Sequence, residues 1–418
     1  MIGKGAYGCV IRPAVACQGN QAFAGNDAYV SKIIRSQHAG EEVAQARAVR
    51  HMLQNTQIPA RFFSIPEAYC GFMLDALTLV DQIDCTVIHG EQPDNLQVLQ
   101  SQYGGKELES FFQEVVGDTQ SPDGLSLVTA NMLDMLREAI LPMNHYGVWH
   151  CDLKSYNILV HADTGGVTMI DWGMMKTRTD LAGPRPLDWH FMWNAPFAGT
   201  MIKGIEEAGR PYILTIDDVT TIMTGQGNYD VHLQHTMATI QRALWVLGLP
   251  SEPDNVFQVI DRYQNAALAV LNGDQAPTAG ITAPDVIRLK VWFFENVDKW
   301  GFVCSFLPLI YSQDPNISRP AAEAFIYMFA TEVGQGDVVI PGGASPAGIN
   351  PDILTAVLGR YMLHGEPMEE GPGGGRGGKK LRGKKLRGKK VRGKKTRGKM
   401  VRGRKTRGKK RRPTRRRQ

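Results

Sequence analysis

Asp152, Lys154, Asn157 and Asp171 have the types and spacing that phosphoryl transfer requires. They stand in the run His150-Cys151-Asp152-Leu153-Lys154-Ser155-Tyr156-Asn157 and, fourteen residues on, in Asp171-Trp172-Gly173. Asp152 is spaced to orient or deprotonate an acceptor hydroxyl, and Lys154 to reach a transferring phosphate. Asn157 and Asp171 offer the hard oxygen ligands that Mg²⁺, or Mn²⁺ in its place, prefers. At about one in twenty per position, five matched residues arise by chance roughly once in ten thousand chains of this length.

These residues resemble the eukaryotic-type protein kinases, whose catalytic loop reads H-R-D-L-x-x-x-N and whose metal loop reads D-F-G. Two positions depart from the pattern: Cys151 replaces the usual Arg and Trp172 the usual Phe. The family's Arg pairs with a phosphorylated activation loop, so its absence implies independence of that switch. Trp172 keeps a large aromatic for packing. Asp152-Leu153-Lys154 is similar to the serine/threonine group, which implies transfer of the ATP γ-phosphate to Ser or Thr hydroxyls of a protein substrate.

The resemblance directs attention upstream. Gly3-Lys4-Gly5-Ala6-Tyr7-Gly8-Cys9-Val10 fits G-x-G-x-x-G-x-V, a turn that lets backbone approach phosphates, with Tyr7 as a lid near its tip. Gly3, Gly5, Gly8 and Val10 are therefore expected to bind ATP. The chain starts two residues before this motif, so the first strand is expected to be short or to have a true start upstream. Lys32, 22 residues after Val10 in Tyr29-Val30-Ser31-Lys32-Ile33-Ile34, resembles the lysine that contacts the α- and β-phosphates. Its acidic partner is expected at Glu42. Glu41 and Glu42 are the acids that head an amphipathic stretch from Glu41 to Leu53. A helix start also favours acids through the dipole alone.

Leu96 to Gly105 reads as a strand running into a Tyr-Gly-Gly hinge that would meet adenine, and Leu125 to Tyr146 as a long helix ending at Gly147. Asp298-Lys299-Trp300-Gly301 resembles the kinase helix whose buried Asp supports the catalytic loop. Ala283-Pro284-Asp285 stands where A-P-E would, but 112 residues after Asp171. An insertion over about 176–282 follows, with helices near 231–247 and 255–271. The aromatic run Trp189–Phe197 is expected to pack in that subdomain rather than to dock substrate.

The net charge of +6 conceals a division. Residues 371–418 carry 25 Lys and Arg and no acid, leaving 22 basic and 41 acidic residues before them, a net −19. From Gly378 the pentad Gly-Lys-Lys-Leu-Arg repeats with variations. A glycine in every pentad costs a helix about 1 kcal/mol each, and almost nothing apolar is left to bury, so disorder is expected. Nonspecific nucleic acid, a nuclear address and, third, an anionic membrane surface are the competing readings of residues 378–418, beside an acidic partner such as the body of the same molecule and a merely solubilising tail. No aromatic is interleaved, so base stacking is not expected. Thr396, Thr406 and Thr414 sit among basic residues as candidate phosphorylation sites.

Six cysteines without C-x-x-C spacing suit reduced thiols and an intracellular setting. No apolar run approaches the ~20 residues of a spanning helix, and the glycine motif lies where a signal peptide would. The fold expected is α+β and bilobal: a β-rich lobe and hinge over 1–104, a helical lobe over 105–364, and a disordered basic tail over 365–418. The overall character looks most like the kinase-like proteins of large DNA viruses of algae and protists. That resemblance implies the host cytoplasm, a viral factory, the nucleus or the virion. A noncatalytic kinase-like scaffold and a small-molecule phosphotransferase, of the choline or aminoglycoside kinase type, are the rival functions.

Overall fold

The computed structural model describes residues 3–4, 8–19, 22–73, 85, 88, 90–117, 122–181, 196–226, 231–272, 283–329, 332–335, 338–341 and 349–362. Gly5 and Tyr7 of the glycine motif, Trp189 to Ala195 of the aromatic run and the basic tail lie outside them. Met1–Pro367 form one compact unit.

Its N-terminal part is an antiparallel five-stranded sheet in the order β1-β2-β3-β5-β4. The strands are β1 (Gly3–Lys4), β2 (Gly8–Ile11), β3 (Tyr29–Arg35), β4 (Ala68–Gly71) and β5 (Leu96–Gln102). Val10 pairs with Lys32, and Lys32 with Leu99, so β2 and β5 fix the lysine from both sides. Gly8 is required by close approach: a Cβ there would stand 2.1 Å from the Ile33 carbonyl oxygen. Ser31, wholly buried beside Lys32, accepts the Val15 N–H at 3.0 Å.

Between β3 and β4 runs α1 (Ser36–Asn55). It begins five residues before the expected Glu41, and its first turn contains no acid. The dipole explanation of Glu41 and Glu42 therefore does not apply. Ala46, Val49 and Met52 are buried at spacings of three residues, the helical stripe that seats α1.

The small core of the sheet contains Cys9, Cys17, Cys70 and Cys85 among its eleven buried residues. They form the disulfides Cys9–Cys85 and Cys17–Cys70. The expectation of reduced thiols is thus corrected for four of six cysteines; Cys151 and Cys304 are free and buried. Pairs separated by 76 and 53 residues leave no local spacing to read. A core this small gains much from covalent staples.

Tyr103–Gly105 joins this sheet to a mostly helical remainder. Gly105 has φ 103° and a Cβ there would stand 2.0 Å from the Val160 carbonyl oxygen, so the hinge needs glycine twice over. After β6 (Lys106–Glu107) come α2 (Leu108–Val116) and α3 (Pro122–Met135). A π-turn (Leu136–Ile140) continues α3 into α4 (Leu141–Tyr146). Gly147, at φ 91°, ends α4 in the left-handed conformation and accepts no side chain there: a Cβ would meet Arg178.

Short strands then carry the loops of interest: β7 (Val148–Trp149), β8 (Ile158–Val160), β9 (Val167–Met169) and β10 (Lys176–Thr177). β8 pairs with β6 and β9, and β10 with β7. Helices follow: α5 (Arg178–Leu181), α6 (Pro196–Ala208), α7 (Ile216–Met223), α8 (Val231–Val246) and α9 (Pro253–Asn272). A Thr215–Asp218 capping box starts α7. Next come α10 (Ala283–Cys304), α11 (Pro315–Phe329) and, after a hairpin, α12 (Pro351–Leu358).

Residues 196–272 belong to the main core rather than to an appendage. Phe197, Tyr263, Trp300 and Phe329 are buried with ring centroids 4.9–6.0 Å apart. Among the described residues, no helix is long and apolar enough to cross a membrane. The whole is a kinase-like arrangement: an N-terminal sheet followed by a mostly helical remainder.

Candidate active site

The site is built where the sheet, α1 and the loops between β7 and β10 converge. Lys32 Nζ on β3 lies 2.6 Å from Glu42 Oε1 on α1 and 3.6 Å from Asp171 Oδ1. Burial disfavours the charge on Lys32, but Asp171 and Glu42 outweigh it and its pKa is raised above the ordinary value. Burial likewise raises the pKa of Glu42 against the pull of Lys32. Asp171 resists its own desolvation because Lys32, His150 and Lys154 all favour the anion, and its pKa is lowered.

The catalytic-loop residues form a closed set of hydrogen bonds. Lys154 Nζ donates to both Asp152 carboxylate oxygens at 3.0 and 2.9 Å. Asn157 Nδ2 donates to the Asp152 carbonyl and to Asp152 Oδ2, each at 2.8 Å. Ser155 Oγ donates to Glu109 Oε2 on α2 at 2.6 Å, which ties the loop to that helix. The neighbouring Tyr156 is exposed, and desolvation with Glu109 and Glu107 nearby raises its pKa.

The backbone beneath is strained and held. Among the described residues, the non-glycine positions with left-handed backbone are Cys151, at φ 65°, and Asp171, at φ 61°. Such residues cost about 1–3 kcal/mol each and persist where surroundings over-determine them. Asp298 on α10 does this for Cys151: its two oxygens accept the N–H groups of His150 and Cys151, both at 2.8 Å. His150 Nε2 donates to the Ile170 carbonyl at 2.9 Å, since a carbonyl can only accept. That leaves Nδ1 to accept the Asp152 N–H at 3.3 Å.

Cys151, where kinases usually have Arg, is wholly enclosed. Burial and Asp298 push its thiol well above the ordinary range, so it is neither a nucleophile nor a phosphate receptor. Trp172 packs between Phe63, at 5.4 Å between ring centroids, and His150, at 4.6 Å.

Asp171 and Asn157 fit a divalent cation. Asn157 uses its amide nitrogen on Asp152, which leaves its oxygen for a ligand, and Asp171 is held ionised with its side chain about half exposed. Two oxygen donors suit an ion that completes its shell with phosphate oxygens and water.

The structure brings together Lys32, Glu42, Asp152, Lys154, Asn157 and Asp171, with Gly8 and Val10 on the strand beside Lys32. Gly3 lies opposite Val10 across β1–β2, and Gly5 falls outside the described residues. Sequence reasoning missed Ser64, Gln45 and Glu109, whose contacts cross 108, 128 and 46 residues. It also missed the left-handed backbone, for which Cys and Asp give no glycine signal.

Residues 121–182 match the family model of the RIO domain, a family of atypical protein kinases. That segment runs from α3 through the catalytic and metal loops to α5 and holds His150, Asp152, Asn157 and Asp171. None of the curated proteins matches the chain. RIO similarity at these loops, on an N-terminal sheet that supplies a paired lysine, points to a kinase-like, ATP-binding phosphotransferase, a class that generally uses a divalent metal.

Proposed function

We propose that the protein is a Mg²⁺-dependent protein kinase that transfers the γ-phosphoryl group of ATP to Ser or Thr hydroxyls of protein substrates. The observation that carries this reading is Lys32 bridging Glu42 and Asp171, with Asp152 held by Lys154 and Asn157. Lys32 neutralises nucleotide phosphates, and Gly8 lets β2 lie close beside it. Asn157 and Asp171 hold the metal, which when bound neutralises charge on the phosphates. Asp152 accepts or directs the acceptor proton. Lys154, within reach of Asp152, stabilises charge on the transferring group. Cofactor-facing roles for Gly3, Gly5 and Val10 belong to the same reading.

The basic run 378–418 is proposed to bind nucleic acid or another polyanion without base selectivity, since 25 cations stand beyond residue 370 with no acid. The two disulfides favour a setting that tolerates cystines; among the compartments implied by the viral resemblance, that is the virion rather than the reducing cytoplasm.

The test is transfer of labelled γ-phosphate from Mg-ATP to a Ser/Thr peptide library and to small-molecule acceptors. Wild type is compared with Asp152→Asn and Asp171→Asn. Peptide labelling that disappears in both variants supports the protein-kinase reading. Labelling of choline or aminoglycosides alone moves the assignment to small-molecule transfer. No transfer by folded wild type, with Mg²⁺ or Mn²⁺, leaves the scaffold reading.

A further inference from the structure

We propose that Gln45 and Trp172 are positioning residues that latch the metal loop, Gln45 to α1 and Trp172 to the Ser64 segment beyond it, and keep the site assembled without a phosphorylated activation segment. This rests on the phosphoryl-transfer reading above. The loop needs a hold, because Asp171 presents its carboxylate from a left-handed backbone, φ 61° and ψ 74°. Two hydrogen bonds supply it. Trp172 Nε1 donates to the Ser64 carbonyl at 3.1 Å, and Gln45 Nε2 donates to the Gly173 carbonyl at 2.8 Å.

Both bonds reach residues directly flanking Asp171 on its C-terminal side. The Ser64 segment is fixed on the other side too: Ser64 N donates to the Met169 carbonyl at 2.9 Å, and Phe63 bridges Met169. Residues before and after Asp171 thus close on one short segment. Gln45 lies three residues after Glu42, on the same face of α1. The helix that hands Glu42 to Lys32 is therefore fastened directly to the metal loop.

Phenylalanine at 172 would keep the ring contacts with Phe63 and His150 and lose the N–H. Cys151 offers no cation to a phosphorylated segment, being buried and neutral. The latch supplies by neutral hydrogen bonds what a phosphate–arginine pair would otherwise supply.

The experiment compares the full chain with Trp172→Phe and Gln45→Met, which keep shape and remove one donor each. Amide hydrogen exchange is read over 168–177 and 36–55, beside the melting temperature. Exchange about fivefold faster in both segments, the size of one hydrogen bond, with melting nearly unchanged, is the expected result. Wild-type exchange rates in both variants overturn the latch. In transfer assays, kcat falls about fivefold and the Mg²⁺ requirement rises, while KM for ATP stays within about twofold. Phosphatase treatment leaves the wild-type rate unchanged; a rate that vanishes after it overturns the independence from phosphorylation. A folded wild type that transfers no phosphate overturns the reading of function, and the exchange data then decide the latch alone. Should Trp172→Phe fail to fold, Gln45→Met decides it.

Discussion

Asp298 Oδ1 accepts the Cys151 N–H at 2.8 Å, and Cys151 holds a backbone angle, φ 65°, that favours glycine. One carboxylate thereby fixes the strained turn that sets His150 and Asp152 in place. Asp298 is wholly buried, and burial raises its pKa against the pull of His150 and the two N–H donors.

Asp298→Asn keeps the volume and turns one acceptor into a donor facing an N–H. The expected cost is about 1–3 kcal/mol, that of a buried donor left without a partner. Thermal unfolding of the variant reads the loss, and its transfer rate falls with it.

Asp152→Asn is expected to lower kcat by about 10²–10⁴, the range for removing a general base. Nucleotide affinity should hold, because Asp152 touches Lys154 and Asn157 rather than Lys32. Equilibrium binding of ATP beside single-turnover transfer separates the two.

The acid limb of the pH–rate profile is assigned to Glu42. Its pKa is raised above 4.5, so it protonates and releases Lys32 at a higher pH than an ordinary glutamate would. Lys32, raised from 10.5, and Asp171, lowered from 3.8, both remain charged through that window. Activity is therefore full above the raised pKa and lost as pH falls through it. Glu42→Gln should show a low rate lacking this limb; an unchanged limb removes the assignment.

Reduction of Cys9–Cys85 and Cys17–Cys70 should destabilise the sheet by about 2–4 kcal/mol. Cys9 follows Gly8 and pairs with Ile33, next to Lys32, so ATP binding should weaken together with stability. Denaturant unfolding and nucleotide titration with and without reductant, and of the Cys9→Ser/Cys85→Ser variant, check this. Six free thiols by mass in the native protein, rather than the two of Cys151 and Cys304, would refute it.

Removing residues 368–418 should abolish binding to duplex DNA. For the full chain, affinity should fall steeply and linearly on a log–log plot against salt, since each phosphate contact releases counterions. A titration at several salt concentrations that shows no slope rejects the electrostatic role.

The sequence by itself picked out the candidate reacting groups. Asp152, Lys154, Asn157 and Asp171 lie within twenty residues of one another, so their spacing in the chain is close to their spacing in space. Lys32 was legible from its apolar strand, Asp298 from its helix motif, and the helices near 231–247 and 255–271 from their apolar patterns; they form as Val231–Val246 and Pro253–Asn272. Tertiary structure alone decided the rest. Glu42, and not Glu41, turns to Lys32 because α1 starts at Ser36 and seats Ala46, Val49 and Met52 in the core, which fixes its rotation. Cystine pairing, the Trp172–Ser64 and Gln45–Gly173 bonds and the left-handed backbone at Cys151 and Asp171 arise from contacts across tens of residues. Residue type and local period select a helix, a strand or a loop. Which distant atoms meet is settled only when the buried faces pack, and there the donors and acceptors find their partners.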